Sequence, residues 1–310
     1  MKKIFLIVLS AVSLCAAIAY FLIPTKLVIG EAVSIDAADV VASKFLITQN
    51  GWDKWWPGEK VADNHYRFKG TDFYITKTTN SDVYLKIQSN DLVYNSDMSY
   101  LAADEGAVKV KWDADGQGES GTFAWLTNYN GAKRVNLQVA DILNKLKNFL
   151  EDERNTYGYK IYLNHIKDTV LLTTSSTYKN TPTIAQLYAV IANLKALAKN
   201  QGATETNFPM LNLTQTDDEA YQVNIALPIN KRIPTEGGIT INNMPKGSNL
   251  LVADVVGGPN TTNNAVNQMK AYMKDHRLVS PAMWYQSLIT DRQAEKDTSK
   301  WITKIYYPIL

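Results

Sequence analysis

The sequence has few of the residues that metal sites and covalent catalysis require. Cys15 is the single cysteine and lies in an apolar stretch, so no intrachain disulfide can form and no cysteine nucleophile exists outside that stretch. The three histidines, His65, His165 and His276, are far apart, whereas zinc ligands usually come in closely spaced pairs. No G-x-S-x-G elbow occurs. The sequence therefore assigns no catalytic residue, no metal ion and no cofactor.

Positive charge is not concentrated anywhere in the chain. The 32 basic and 30 acidic residues leave a net charge of +2, and no run of Lys or Arg is longer than two. Nucleic-acid binding proteins usually carry a basic patch or stripe, so we expect no nucleic-acid partner. A length of 310 residues with 45% apolar content is sufficient for two folded domains.

One long apolar run is present, at the N-terminus. Lys2 and Lys3 precede Ile4–Ile23, and about 20 apolar residues can span a bilayer. Because positive residues before such a segment stay in the cytoplasm, residues 25–310 are predicted to be exported. We predict that residues 1–24 form an inner-membrane anchor, spanning through residues 4–23, with periplasmic domains. The alternative is a signal peptide cleaved after Ala17-Ile18-Ala19, which would release the protein into the periplasm.

Residues 25–158 are predicted to form an α+β helix-grip domain, an antiparallel sheet around a long C-terminal helix. Apolar alternation and turn residues predict most strands, and apolar stripes predict the helices. Asp36 is a candidate N-cap for the first helix. The predicted strands are 26–35, 66–69, 72–77, 83–89, 92–101, 107–113 and 122–127, and the predicted helices are 37–47 and 135–157.

Three tryptophans follow the first helix. Trp52, Trp55 and Trp56 are three and four residues apart, which is one face of a short helix, and Pro57 ends it. In one interpretation they seal the end of the core. In the other they form the rim of a cavity, and Trp55 and Trp56 then become candidate ligand-binding residues.

Residues 159–310 show the same βαββ pattern twice. Two such units placed side by side form one sheet with two helices on one face, and the opposite face is free to curve around a ligand. The first copy is predicted at 169–174, 183–200, 210–214 and 221–229, and the second at 249–256, 262–277, 283–290 and 301–309.

Two polar segments match motifs only superficially. Gly116-x-Gly118-x-x-Gly121 has the spacing of a dinucleotide fingerprint, but that motif requires a helix directly after it, and a strand is predicted there. A flexible turn is the better interpretation. Asp217-Asp218-Glu219 is interpreted as a solvated loop between strands.

Each half resembles a known family. Val33-Ser34-Ile35-Asp36-Ala37, Gly51-Trp52-x-x-Trp55-Trp56-Pro57, the meander and the closing helix resemble the START-like, polyketide cyclase-type (SRPBCC) superfamily. The second half resembles the GyrI-like, or transcription activator effector-binding, domain. Its telling segments are Tyr221-Gln222-Val223-x-x-x-Leu227-Pro228-Ile229, Met244-Pro245-x-Gly247 and Trp301-Ile302-Thr303-Lys304-Ile305-Tyr306-Tyr307-Pro308.

The GyrI-like resemblance implies a cup for lipophilic, often cationic, small molecules, with a carboxylate and then a tyrosine on the strand before the last. Those positions here are Gln286 and Leu288, so the chain departs from the pattern at both. Glutamine supplies neither a counter-charge nor a general base. The candidate ligand-binding residues are Trp284, Tyr285, Gln286 and Tyr306, and alternation predicts Trp284 and Gln286 on one strand face with Met283 and Tyr285 on the other.

Three functional hypotheses follow. The first is an envelope-facing, membrane-anchored protein that binds a small hydrophobic molecule without catalysis. The second is a hydrolase or cyclase for a small hydrophobic substrate, which would require a buried Glu, Asp or His facing a cavity. The third is a structural module with closed cores, which predicts no cavity of roughly 300 Å³ or more.

Overall fold

The computed structural model describes residues 27–90, 92–103, 106–117, 124–216 and 220–310. The predicted anchor or signal segment and the acidic run at 217–219 lie outside these ranges. Within the described residues, no helix combines the length and the apolar character that crossing a membrane requires. The chain divides into two compact units, Met1–Asp152 and Glu153–Leu310.

The first unit contains a seven-stranded antiparallel sheet with the strand order β1-β7-β6-β5-β4-β3-β2. Its strands are β1 (Leu27–Ile35), β2 (Glu59–Ala62), β3 (His65–Phe68), β4 (Thr71–Thr78), β5 (Asp82–Ser89), β6 (Leu92–Ala102) and β7 (Val108–Gln117). Its helices are α1 (Asp39–Leu46), α2 (Gln49–Trp55) and α3 (Ala124–Leu150). Burial alternates along β5 and β6, so one face of the sheet forms the core.

Helix α3 closes this unit along β1. Its buried residues recur at helical spacing and form one apolar stripe: Val135, Val139, Ile142, Leu143, Leu146 and Leu150. The predicted α+β class with two large antiparallel sheets is confirmed, the second sheet being that of the second unit.

Two predictions of local structure in this unit are wrong. The segment from Ala124 onward, predicted as the end of a strand, is helical. This helix passes through Gly131, where a Cβ would lie 2.2 Å from the end of the Leu92 side chain, so the helix lies close to β6 at this point. Asp36 does not cap α1, whose N-cap is Ala38 without a side-chain hydrogen bond. The Asp36 backbone N–H instead donates to Glu151 Oε1 at 2.9 Å.

The glycine-rich segment also differs from expectation. Strand β7 includes Gly116, and the next described element is helix α3, not the predicted strand. The order of strand, glycine-rich segment and helix therefore matches that of a dinucleotide fingerprint. The fingerprint still lacks its context, because β7 pairs antiparallel with both β1 and β6, whereas the motif belongs to a parallel βαβ unit. A Cβ at Gly116 would lie 2.4 Å from the Tyr94 ring, so packing requires this glycine.

Tyr94 of β6 is fully buried, and its hydroxyl has no hydrogen-bond partner among the described residues. Burial raises the pKa of Tyr94 to about 12. The native state therefore keeps this proton at pH values where the unfolded chain, with a tyrosine pKa near 10, loses it. The stabilisation is complete below pH 10 and is lost as the pH rises through about 12.

We expect Tyr94→Phe to remove this pH dependence. At pH 8 its unfolding free energy should equal that of the wild type or exceed it by up to about 1 kcal/mol, because a buried hydroxyl without a partner is removed. Between pH 8 and 11 the wild type should lose about 1.4 kcal/mol more than the variant. Urea denaturation at both pH values measures the difference. Tyr129→Phe, at an exposed position, should lose as much unfolding free energy between pH 8 and 11 as the wild type does. The prediction is wrong if Tyr94→Phe also loses as much as the wild type.

The second unit contains an eight-stranded antiparallel sheet with the order β12-β9-β11-β10-β14-β15-β13-β8. Its strands are β8 (Ile161–His165), β9 (Val170–Tyr178), β10 (Met210–Gln215), β11 (Tyr221–Pro228), β12 (Ile239–Asn243), β13 (Asn249–Val256), β14 (Tyr285–Leu288) and β15 (Ile302–Pro308). Its helices are α4 (Glu153–Tyr157), α5 (Ile184–Asn200) and α6 (Pro259–Asp275).

The two βαββ copies are β9-α5-β10-β11 and β13-α6-β14-β15, and they meet edge to edge where β10 pairs with β14. Thr183 begins α5 with a capping box, since its hydroxyl accepts from the Gln186 backbone while the Gln186 side chain accepts from the Thr183 backbone. Leu172, Leu211, Val223 and neighbours form the core under α5, and α6 packs against β13 and β15. The edge strands β8 and β12 extend the duplicated sheet and were not predicted.

Candidate ligand-binding site

The helix-free face of the second sheet is built from residues in direct cross-strand register. Thr173 of β9 lies opposite Ala226 of β11, which lies opposite Met210 of β10. One row further along the strands, Asn224 lies opposite Asn212. Because side chains alternate along a strand, these residues point away from the core under α5 and line the opposite face.

A cavity of about 460 Å³ lies on this face. Small, apolar and neutral polar side chains line it, with one phenol. The lining residues are Leu171, Thr173, Thr174, Ser175, Met210, Leu211, Asn212, Asn224, Ile225, Ala226, Gly238, Thr240, Asn242, Met244, Ala282, Met283, Tyr285 and Pro308. None of these described lining residues carries a formal charge.

One ring of an aromatic stack, that of Tyr285, lines the cavity. Tyr285 of β14 lies directly opposite Tyr306 of β15, and their rings stack with centroids 4.9 Å apart and planes inclined by 13°. Burial raises the pKa of both phenols. Both side chains are therefore neutral at physiological pH, and the stack presents an uncharged wall.

Asn212 lies at the centre of a hydrogen-bond network on the cavity floor and is only 4% exposed. Its Nδ2 donates to the backbone oxygen of Trp284 at 2.8 Å. Its Oδ1 accepts from Asn224 Nδ2 at 3.3 Å and from Thr214 Oγ1 at 3.2 Å. The network connects β11, β10 and the segment before β14, so it spans the junction of the two copies.

Edge strand β12 adds a second polar group. Thr173 Oγ1 lies 2.9 Å from Thr240 Oγ1 and also donates to the Thr240 backbone oxygen at 3.2 Å. Asn242 Nδ2 donates to Thr173 Oγ1 at 2.9 Å. Two local signals precede or mark this strand: Gly237-Gly238, a pair with positive φ that turns the chain, and the short alternation of Ile239 and Ile241 with polar residues.

A carboxylate lies in a smaller adjoining recess of about 60 Å³. Asp168 lines this recess with Tyr285 and Tyr306. Burial is the largest cause of the raised pKa of both phenols, and the negative charge of Asp168 is a further cause. Its two oxygens already accept hydrogen bonds, Oδ1 from Thr206 Oγ1 and Oδ2 from Asn207 Nδ2, both at 2.8 Å. No sequence motif marks Asp168, which lies in a loop far from β14 in sequence.

The structure separates the candidate residues of the last strands. Tyr285 and Met283 line the large cavity, and Tyr306 lies behind Tyr285 in the smaller recess. Gln286 lies on the opposite face of β14, where its Oε1 accepts from Arg292 Nη2 at 3.2 Å. The rings of Trp284 and Tyr307 stack with their centroids 6.2 Å apart. Neither Trp284 nor Gln286 lines the cavity.

Trp55 and Trp56, in the first unit, belong to an aromatic cluster around Trp52. Trp52 Nε1 donates to Leu46 O at 2.7 Å and Trp55 Nε1 to Phe45 O at 3.2 Å, which holds α2 against α1. Trp56 packs on Phe73 with ring centroids 5.2 Å apart. The neighbouring cavity of about 250 Å³ is lined by Trp52 but by neither Trp55 nor Trp56.

No protein-family model and no curated protein matches the chain. Solved structures with a similar fold include the EcmrR C-terminal domain, with 17% identity over 49% of this chain and 98% of that chain and a TM-score of 0.42. The structure of SAV2435 bound to tetraphenylphosphonium shows 15% identity over 48% of this chain and 93% of that chain, with a TM-score of 0.32. A START superfamily protein from Mycobacterium smegmatis shows 10% identity over 40% and 97%, with a TM-score of 0.32. These values are too low to assign a family or a ligand.

Proposed function

We propose that the second unit binds a small, mostly apolar molecule in the cavity on its helix-free face. The observation that carries the proposal is the cavity volume of about 460 Å³, since ligand sites in proteins typically measure roughly 300 to 1,000 Å³. The third hypothesis, a structural module with closed cores, predicts no cavity of this size, so we do not propose it for the second unit.

The cavity wall suits a ligand of variable shape. Met210, Met244 and Met283 all line it, and thioether side chains are flexible and polarizable. Met283 is 60% exposed, which leaves it free to move over a bound molecule. An apolar ligand would replace water against these side chains and gain about 25 cal/mol for each Å² of apolar surface buried.

The proposal contains no catalytic step. A hydrolase or cyclase would need a carboxylate or imidazole facing the ligand as general base. The described residues that line the cavity include no Asp, Glu or His. His165 and Asp168 line only the adjoining recess, where His165 is exposed and both Asp168 oxygens accept hydrogen bonds from Thr206 and Asn207, so no specific observation favours the enzymatic alternative.

We further propose that the protein is held at the inner membrane by residues 4–23, with both units in the periplasm. The support is the order of Lys2-Lys3 and the following apolar run. Alkaline phosphatase fused after Leu310 should be active, a green fluorescent protein fused there should stay dark, and the protein should remain in membranes washed with carbonate. Recovery in the soluble periplasm would instead support cleavage of the segment, and recovery in the cytosol would refute export.

Methionine methyl groups provide a direct test of binding. The chain has seven methionines, of which Met210, Met244 and Met283 line the cavity. Met98, Met269 and Met273 are buried elsewhere and serve as internal controls. We expect 1-naphthylmethanol, titrated into the ¹³C-methyl-methionine-labelled full chain in lipid nanodiscs, to shift the three cavity methyl signals saturably. Shifts in none of them, or equal shifts in all six, would refute the proposed site.

A further inference from the structure

The hydrogen bonds of Asn212 determine which way the side chain of Asn224 is turned. The backbone oxygen of Trp284 can only accept, so the Asn212 atom 2.8 Å from it must be the amide nitrogen. The other amide atom of Asn212 is then the oxygen, and Asn224 must donate its Nδ2 to it. This leaves Asn224 Oδ1, in a half-buried lining residue, without a partner in the part of the chain that the structure describes.

Asn242 presents a second amide oxygen at the β12 side of the cavity. Thr173 Oγ1 lies 2.9 Å from Thr240 Oγ1, where either atom can donate, and 3.2 Å from the Thr240 backbone oxygen. Asn242 Nδ2 donates to Thr173 Oγ1 at 2.9 Å, and the Oδ1 of this exposed residue has no protein partner within the described ranges. Two strands of the cavity wall, β11 and β12, thus each present an amide oxygen that can accept a hydrogen bond.

The described lining of the cavity is uncharged. No Lys, Arg, Asp, Glu or His is among the described lining residues, and the Tyr285 phenol is neutral. Transferring an ion into such surroundings without a counter-charge costs several kcal/mol. The adjoining recess is lined by the opposite charges of Asp168 and Lys167, and the Asp168 oxygens already accept hydrogen bonds from Thr206 and Asn207.

We infer that the cavity selects uncharged molecules that donate a hydrogen bond, such as an apolar body carrying a hydroxyl or amide N–H, and that Asn224 and Asn242 accept this bond. The inference rests on the proposed function and specifies its ligand class. It separates this site from a cup for cations, since the cavity has no carboxylate among its described lining residues.

A series of four probes with one naphthyl body tests the inference without any mutation. The probes are 1-naphthylmethanol, its methyl ether, 1-naphthylmethylamine and 1-naphthoate, titrated at pH 7 and followed by the methyl signals of Met210, Met244 and Met283. The alcohol should bind about threefold to tenfold more tightly than the ether, because only the alcohol donates a hydrogen bond. The ammonium and the carboxylate should each bind at least about tenfold more weakly than the alcohol.

The outcomes distinguish the two claims. If none of the four probes shifts the cavity methyl groups, the proposed function fails. If the amine or the carboxylate binds as tightly as the alcohol, or the ether equals the alcohol, binding stands and the inference about ligand class is overturned.

A charge-matched pair of variants tests the role of Asn224. Asn224→Asp places a carboxylate where the ligand would donate, so the affinity for 1-naphthylmethylamine relative to the alcohol should rise at least about tenfold. Asn243→Asp adds the same charge on β12 at an exposed residue that does not line the cavity, and it should leave this ratio unchanged. Equal ratios in the two variants would overturn the assignment of Asn224.

Discussion

Replacing Ala226 with tryptophan should abolish ligand binding by the second unit while its fold persists. Ala226 lies between Thr173 and Met210 on the cavity floor, so an indole there occupies the space that the ligand requires. Because the residue faces the cavity rather than the core under α5, the added bulk should cost less stability than overpacking a closed interior, which costs about 1 to 3 kcal/mol.

The affinity for 1-naphthylmethanol should fall at least about 100-fold, which corresponds to about 2.8 kcal/mol. Titrations that follow the methyl groups of Met244 and Met283 measure the loss. Ala102→Trp, at an exposed position at the end of β6 in the first unit, is the matched control and should bind as the wild type does. If Ala226→Trp retains affinity within about twofold of the wild type, the ligand site lies elsewhere.

Trp52→Ala should lower the unfolding free energy of the first unit by about 3 to 5 kcal/mol, the usual cost of truncating a buried tryptophan. Trp52 is 1% exposed and contacts the rings of Trp55, Trp56, Tyr66 and Trp112. The substitution also removes the hydrogen bond to Leu46 O that holds α2 against α1.

Methyl signals separate the effects on the two units during urea unfolding. Met98 lies in β6 of the first unit and Met269 in α6 of the second, and both are fully buried. In Trp52→Ala the urea midpoint reported by the Met98 methyl signal should fall, whereas the urea midpoint reported by Met269 should equal that of the wild type. Trp52→Phe keeps part of the ring contact, so it should lower the unfolding free energy of the first unit less than Trp52→Ala does. A loss below about 1 kcal/mol would mean that the tryptophans do not seal the core and would revive their interpretation as a cavity rim.

The predictions that succeeded depend on patterns within a single element. In the second unit, strands predicted at 210–214 and 249–256 are observed at Met210–Gln215 and Asn249–Val256. Thr183, just before a helical apolar stripe, marks the start of α5. Such signals are local because helix and strand periodicity and capping involve residues only a few positions apart.

The candidate site was predicted only in part, because it depends on which face each side chain joins and on segments distant in sequence. Tyr285 lines the cavity, but Gln286, one residue further, turns to the helix-covered face and bonds Arg292. Thr240 and Asn242 come from β12, where apolar and polar residues alternate over only five positions, too short a pattern to predict a strand. Asp168 reaches Tyr285 and Tyr306 from a loop that no local pattern marks.

The sequence by itself therefore determined the α+β class, the long closing helix and the duplicated βαββ units, since their apolar periodicities decide which surfaces must be buried. Only the tertiary structure decided which polar groups line the cavity. Cross-strand register brings Asn212, Asn224 and Thr173 onto one face, and fixed hydrogen bonds leave the amide oxygens of Asn224 and Asn242 without partners among the described residues. The physical reason is that register and hydrogen-bond direction are set between strands, over sequence separations that no periodicity within one strand encodes.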